Sequence, residues 1–390
     1  MRSSNHGHMR THIELDALCD DAERNQRCFY PTSNALRQAT YVRLRNGYLV
    51  RPYRNVYARS SYWGNLNPAE RSRHIIRTLS RQFPNRVFAG LSAAAMLHLE
   101  YGWNLHNTGS IFIASSTGSP KRTYRGLQRI SMTNPPVSTV LQYRRGKDLG
   151  SKLVQGSLAL ESCRTQDPAS TGITQTVMPS VRQNDITDMV RITSPARTLV
   201  DCATRYPFVQ TLPMFDSAMR NHLVTAQEVL DVCDGMRTDC GSVMRLLHYA
   251  NPLSENGGES FCRAVIIEEG FATPQLQHVF TDTDSSWMKY RVDFIWHTEN
   301  GRVIVLEYDG AAKYTDPAMT NGNNVHTVVR AERDREDALR RAGVTAIIRT
   351  NYQEAAQRAP LIRKLIDARV PMAGMNARYE HATDVTGREL

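Results

Sequence analysis

The chain has 390 residues, is 41% hydrophobic, and carries 48 Lys and Arg against 38 Asp and Glu, a formal charge of +10. That length holds two or three domains at about 100–200 residues each, the apolar content excludes a disordered chain, and no apolar run approaches the ~18 residues of a membrane span. Seven cysteines, an odd number without a CxxC pair, argue against a disulfide framework or a structural zinc site and for a reducing cytoplasm.

The first segment, MRSSNHGHMRTHIELD, starts basic but has no apolar stretch behind it, so it is not read as a signal peptide. His6-Gly7-His8 reads as part of a frayed tail. Thr11 to Glu23 predicts a helix carrying Ile13, Leu15 and Leu18. Thr32 or Ser33 caps a second helix carrying Leu36. Tyr41 to Ala58 has turns at Asn46-Gly47 and around Pro52 to Asn55, with strand formers Tyr48, Val50, Val56 and Tyr57. Helices followed by an arginine-bearing hairpin describe a winged helix-turn-helix; an ordinary small helical domain is the alternative. Twelve arginines and one acid, Glu70, lie between Arg24 and Arg81. A one-sided run of this kind suits phosphate contacts. Arg37, Arg43, Arg45, Arg51 and Arg54 are the candidate DNA-binding residues.

Helices are expected over Pro68 to Gln82 and Leu91 to Leu99, the latter containing a His98 with no second ligand at helical spacing. Strands follow around Ser110 to Ala114 and Leu127 to Met132. Residues 133–188, rich in Ser, Thr, Gly and Pro, read as irregular, with room for a strand or two. Val190 to Thr193 is a strand, and Ser194-Pro195 opens a helix. Met214 to Arg220 and Thr225 to Val232 look helical, with Thr225 and Glu228 as a capping box. Asn251 to Gly258 reads as an interdomain linker. The C-terminal block is a helix (Glu259 to Glu269), strands Leu276 to Thr281, Lys289 to His297 and Arg302 to Asp309, a helix from Val325 to Arg341, a strand from Val344 to Arg349, and a closing helix from Tyr352 to Ala368.

The hairpin Lys289 to Asp309 carries the chemistry. A three-residue loop Glu299-Asn300-Gly301, with Gly301 left-handed, pairs Trp296 with Ile304, Phe294 with Leu306 and Ile295 with Val305. The same register sets Asp293 opposite Glu307, and alternation places Asp309 on that face. Opposed carboxylates repel, and three of them at one end of an apolar hairpin suit a hard divalent cation, Mg²⁺ or Mn²⁺. Glu259 supplies a fourth acid if its helix packs over the hairpin. Lys313 follows in the run Glu307-Tyr308-Asp309-Gly310-Ala311-Ala312-Lys313 and is placed to hold a water or phosphate. The competing reading is a surface network in which Arg291 and Arg302 hold Asp293.

Glu259-Ser260, Pro274 with Gln275 or Gln277, Arg291-Val292-Asp293-Phe294, Glu307-Tyr308-Asp309-Gly310 and the Glu332 to Arg349 segment resemble, over about 110 residues, a family related to very-short-patch repair endonucleases in the PD-(D/E)xK superfamily. The resemblance implies an αβββαβ core and Mg²⁺-dependent phosphodiester cleavage. It gives Asp293 and Glu307 ligand roles and makes Glu259 the helix-borne acid. The sequence departs from the pattern at Asp309, where lysine is usual, and at Lys313, where histidine is common. Arg43 to Tyr57, Leu91-Ser92-Ala93-Ala94, Thr193 to Asp201 and Asp216 to Thr225 resemble the antitoxin-regulator family of type IV abortive-infection toxin–antitoxin systems. That resemblance implies a DNA-binding head and a cognate toxin as partner. The expected architecture is α+β and multidomain: a winged helix over 10–60, a mixed α/β middle domain over 61–250 and a restriction-endonuclease-like domain over 255–370. The expected activity is that of a DNA endonuclease, against the alternative of a regulator with an inactive nuclease-like domain.

Overall fold

A computed structural model of the chain describes residues 12–116, 126–145, 148–155, 185–236, 239–282, 287–309 and 325–374. The protein is a mixed α+β molecule with two compact units: the described parts of Met1–Leu99 with Trp103–Cys202, and of Glu100–Gly102 with Ala203–Leu390. The expected boundary at residue 60 therefore falls inside the first unit, and that at 250–255 inside the second. Among the described residues no helix is long and apolar enough to cross a membrane, and the described cysteines are free thiols.

The first unit opens with α1 (Ile13–Arg24), α2 (Asn34–Arg45) and the hairpin β1 (Leu49–Tyr53) and β2 (Val56–Arg59). Ser33 Oγ accepts from the Leu36 amide, satisfying a donor that the start of α2 leaves open. Arg54 and Asn55 close the hairpin, with Asn55 at φ 56°. Leu15, Cys19, Ala22, Phe29, Leu36 and Leu49 share one core, and Phe29 bridges Tyr57 of β2. After α3 (Ser60–Gly64), α4 (Pro68–Gln82) starts on an Asn67/Glu70 capping box with Pro68 in the first turn. α5 (Gly90–Met96) is buried along its length.

β3 (Ile111–Ser115) and β4 (Leu127–Ser131) pair in parallel. β5 (Val137–Arg145) lies between β6 (Asp148–Gln155) and β7 (Ile186–Thr193), antiparallel to both. These strands occupy much of the stretch expected to be irregular. Val137, Thr139, Val140 and Tyr143 are strand formers that the surrounding Ser, Gly and Pro obscure. Residues 156–184 lie outside the described residues. α6 (Pro195–Ala203) closes the unit.

The second unit begins with α7 (Phe208–Arg220), α8 (Ala226–Asp234) and α9 (Gly241–Tyr249). α7 starts earlier than the expected Met214 because it runs through Pro213, which is buried in it; a proline removes one backbone bond, and packing here outweighs that cost. Then come α10 (Gly257–Glu268), β8 (Gln275–Thr281), β9 (Lys289–His297), β10 (Val303–Asp309), α11 (Val325–Arg341), β11 (Val344–Asn351), α12 (Tyr352–Gln357) and α13 (Ala359–Asp367). The α-β-β-β-α-β-α order is the expected one, except that the closing helix is split at Arg358, φ 61°. The sheet runs β11-β10-β9-β8, parallel only between β10 and β11.

Asn251 to Gly258 is not a linker between the units. The Asn251 amide donates to Asp216 Oδ1 at 2.8 Å, Arg220 donates to the Ser254 carbonyl, and Ser254 is fully buried. Beside it, Arg263 of α10 and Asp216 of α7 form an ion pair at 2.6 Å with both side chains excluded from solvent. A turn-rich composition reads as loop, but it does not show what the loop is fastened to.

Candidate functional site

The β9–β10 hairpin forms in the expected register. Gly301 has φ 78°, the Thr298 amide donates to the Arg302 carbonyl at 3.0 Å, and Trp296, Ile295 and Phe294 face Ile304, Val305 and Leu306. The regular pairing stops there. Hydrogen-bonded pairs alternate in an antiparallel ladder, so from Thr298/Arg302 the Tyr308 amide is due to bond Val292. It donates instead to Asp293 Oδ2 at 2.7 Å. Val292 and Ile295, three positions apart, lie in one core cluster with Phe280, Val305 and Leu339, so strict alternation slips between them. On β8, Gln277 stands opposite Asp293 with φ 53°.

Each of the acids expected to meet is engaged by a protein group of its own. Asp293 caps the Tyr308 amide, and its charge bears on Glu259 and Cys262 of α10. Glu307 is taken by α11: Arg335 Nη2 and Nε reach Glu307 Oε1 at 2.5 and 3.2 Å, and the same Nη2 donates to the Arg291 carbonyl at 2.6 Å. Asp309 pairs in register with Asn351 of β11. Lys313 lies outside the described residues. The cross-strand pair of Asp293 and Glu307 is thus replaced by two separately held carboxylates. Among the described residues, no three His, Cys, Asp or Glu side chains are grouped to hold a metal ion as they stand. The two arginines of the competing network have partners elsewhere: Arg291 pairs with Glu255 and Arg302 donates to the Ala368 carbonyl.

Glu259 is buried by α10, as its expected role required, and is held by the Glu255 amide, Asn256 Nδ2 and Gln277 Nε2 at 2.9, 2.6 and 3.1 Å. Burial, with the charge of Asp293 adding, pushes its carboxyl from 4.5 to about 7 despite those donors. The folded state therefore holds this proton more tightly than the unfolded chain. The stability it confers is full below the unfolded value and is lost as pH rises through about 7. Wild-type melting midpoints should fall relative to Glu259→Gln between about pH 5 and pH 8. Parallel profiles for the two proteins would refute the shift.

In the first unit, α2 exposes Asn34, Arg37, Gln38, Tyr41 and Arg45, and the hairpin exposes Arg51 and Arg54. Arg43 is not among them. It is 7% exposed and forked onto Asp16 of α1, with Nη2 to Oδ2 at 2.9 Å. Its place was readable, since Leu36, Thr40 and Arg43 form the buried stripe of α2 at helical spacing. Much of the basic run is neutralised in the same way: Arg59 by Asp20 and Glu23, and Arg27 by Asp21 and Asp188. Those α1 acids sit just ahead of Arg24, where the run begins. Arg335 and the exposed Gln38 and Tyr41 were not singled out by sequence; Arg335 lies in the charged run ERDREDALRR, where no periodicity marks one arginine from the next.

No protein-family model, curated protein or solved structure matches the chain.

Proposed function

We propose that the chain is a metal-dependent DNA endonuclease that grips duplex through α2 and the β1–β2 hairpin, arranged as a winged helix. The observation that supports the nuclease reading is that three neighbouring elements each contribute an acid near the point where β9 and β10 part: Glu259 from α10, Asp293 from β9 and Glu307 from β10. The α-β-β-β-α-β order of this unit agrees with a restriction-endonuclease-like core. An all-oxygen donor set of this kind fits Mg²⁺ or Mn²⁺. Asp293 and Glu307 would hold the ion, with Asp309 as the third carboxylate. When bound, the ion supplies charge for water activation and for the phosphorane-like transition state. The Tyr308 amide fixes the Asp293 carboxylate, and Glu259 positions Gln277 beside it. Glu307 must exchange Arg335 for the ion. The test is Mg²⁺- or Mn²⁺-dependent nicking of plasmid and structured DNA.

One observation favours a second reading. Glu259, Asp293 and Glu307 each already have a protein donor, as in a regulator or antitoxin with a non-catalytic nuclease-like domain, whose partner would be a cognate toxin. DNA binding belongs to both readings. Arg45→Ala, Arg51→Ala and Arg54→Ala should each weaken duplex binding uniformly across sequences and reduce the salt slope by about 1. Arg43→Gln should leave that slope unchanged and lower stability by about 1–3 kcal/mol, because Asp16 loses its fork. Fluorescence anisotropy over a salt series, with melts, separates the two classes, and an unchanged slope for all three exposed arginines would remove this face from the interface.

A further inference from the structure

A cavity of about 490 Å³ opens in the first unit between the end of α4 and β7, lined by Arg81, Asn85, Thr139, Asp188, Met189 and Arg191 among others. Its charges are unevenly matched. The Asp188 side chain is fully buried and already bonded by Arg27 Nη1, 3.2 Å from each oxygen, and by Arg81 Nη1 at 3.4 Å. Arg81 donates to the Thr187 carbonyl as well, and its side chain is 46% exposed. Arg191 has no such arrangement. Its Nη1 has a long 3.5 Å contact with the Asn85 carbonyl, its Nε is buried without a hydrogen-bond partner, and among the described residues no carboxylate pairs with it.

A buried donor left without an acceptor is destabilising, and a guanidinium without an anion adds to that. Two arginines at one cavity, with the only lining acid bonded into the wall, favour an anionic guest. Planar guanidinium forks match phosphate oxygens, while Met189, Ile186 and Pro84 offer apolar surface to an organic body. The volume lies within the ordinary range for small-ligand sites.

We propose that this cavity binds a phosphate ester, with the phosphate accepting from the guanidinium groups of Arg191 and Arg81 and the organic part lying against Met189. The phosphate belongs either to a free mononucleotide-sized ester or to the backbone of bound DNA. The proposal does not depend on the nuclease reading, since every residue in it lies in the first unit.

The experiment is calorimetric titration of the full-length protein with inorganic phosphate, adenosine 5′-monophosphate, adenosine and a short duplex, in wild type and Arg191→Met. Phosphate and the monophosphate should bind, adenosine should not, and Arg191→Met should weaken the monophosphate by about tenfold or more. Displacement of the monophosphate by duplex assigns the backbone as the source, and simultaneous binding assigns the free ester. Ligand-free Arg191→Met should melt at or above the wild-type temperature, because it removes an unsatisfied buried donor. Equal affinity of wild type and Arg191→Met, binding of adenosine as tight as of its monophosphate, no binding of either phosphate compound, or a lowered ligand-free midpoint in the variant would each overturn the proposal.

Discussion

Asp293→Asn should reduce Mg²⁺-dependent nicking of plasmid DNA by at least about a hundredfold while the protein stays folded. The asparagine carbonyl can still accept from the Tyr308 amide, which donates to Asp293 Oδ2 at 2.7 Å, so the hairpin keeps this anchor while the charge is lost. Without metal, its melting temperature should hold or rise, because burial makes the charge of Asp293 unwelcome to Glu259. Glu307→Gln should abolish nicking equally but melt lower than wild type, since it dissolves the ion pair with Arg335. Repulsion between opposed carboxylates would by itself give both substitutions the same stabilising sign, and Arg335 is what divides them. Nicking that survives both substitutions would exclude these carboxylates from the chemistry, whatever the melts show.

The largest loss of stability should come from Arg263→Met. It leaves the Asp216 carboxylate, 0% exposed, to the Asn251 amide, and it strips the Tyr249 carbonyl of its 2.6 Å donor. Removing one partner of a buried pair costs about 3–5 kcal/mol, because the other charge stays desolvated. The double variant Arg263→Met with Asp216→Leu should recover a large part of that loss, since an apolar replacement of both removes the desolvation as well. Urea melts of the single and double variants measure the coupling. Additive losses would mean that the two side chains do not act as a pair.

The second unit was more legible in the sequence than the first. The Gly301 turn and the apolar pairs Phe294/Leu306 and Trp296/Ile304 set the hairpin register because a slip would expose every core side chain at once. The same periodic reasoning failed one residue beyond Phe294, at Asp293. There a side chain took over a backbone bond and alternation slipped, and nothing in the spacing of hydrophobic residues records such a substitution. Arg43 failed differently: its charge was read before its position, although Leu36 and Thr40 had already defined the inner face of α2. The pairing of Arg335 with Glu307 joins residues far apart in the chain, and the many arginines of α11 gave no way to choose among them. In the middle of the chain, Val137 to Tyr143 was a strand hidden in Ser- and Pro-rich surroundings.

The fastening of Asn251 to Gly258 bears on how the chain can be dissected. A cut placed at the apparent joint near residue 255 would sever α7 from α10. The fragment beginning there would carry a solvent-excluded Arg263 with neither Asp216 nor the Tyr249 carbonyl to receive it. A fragment beginning at Ala203 keeps both, and the severable piece is thus the longer one: the three helices ahead of α10 travel with the sheet as part of the same folding unit.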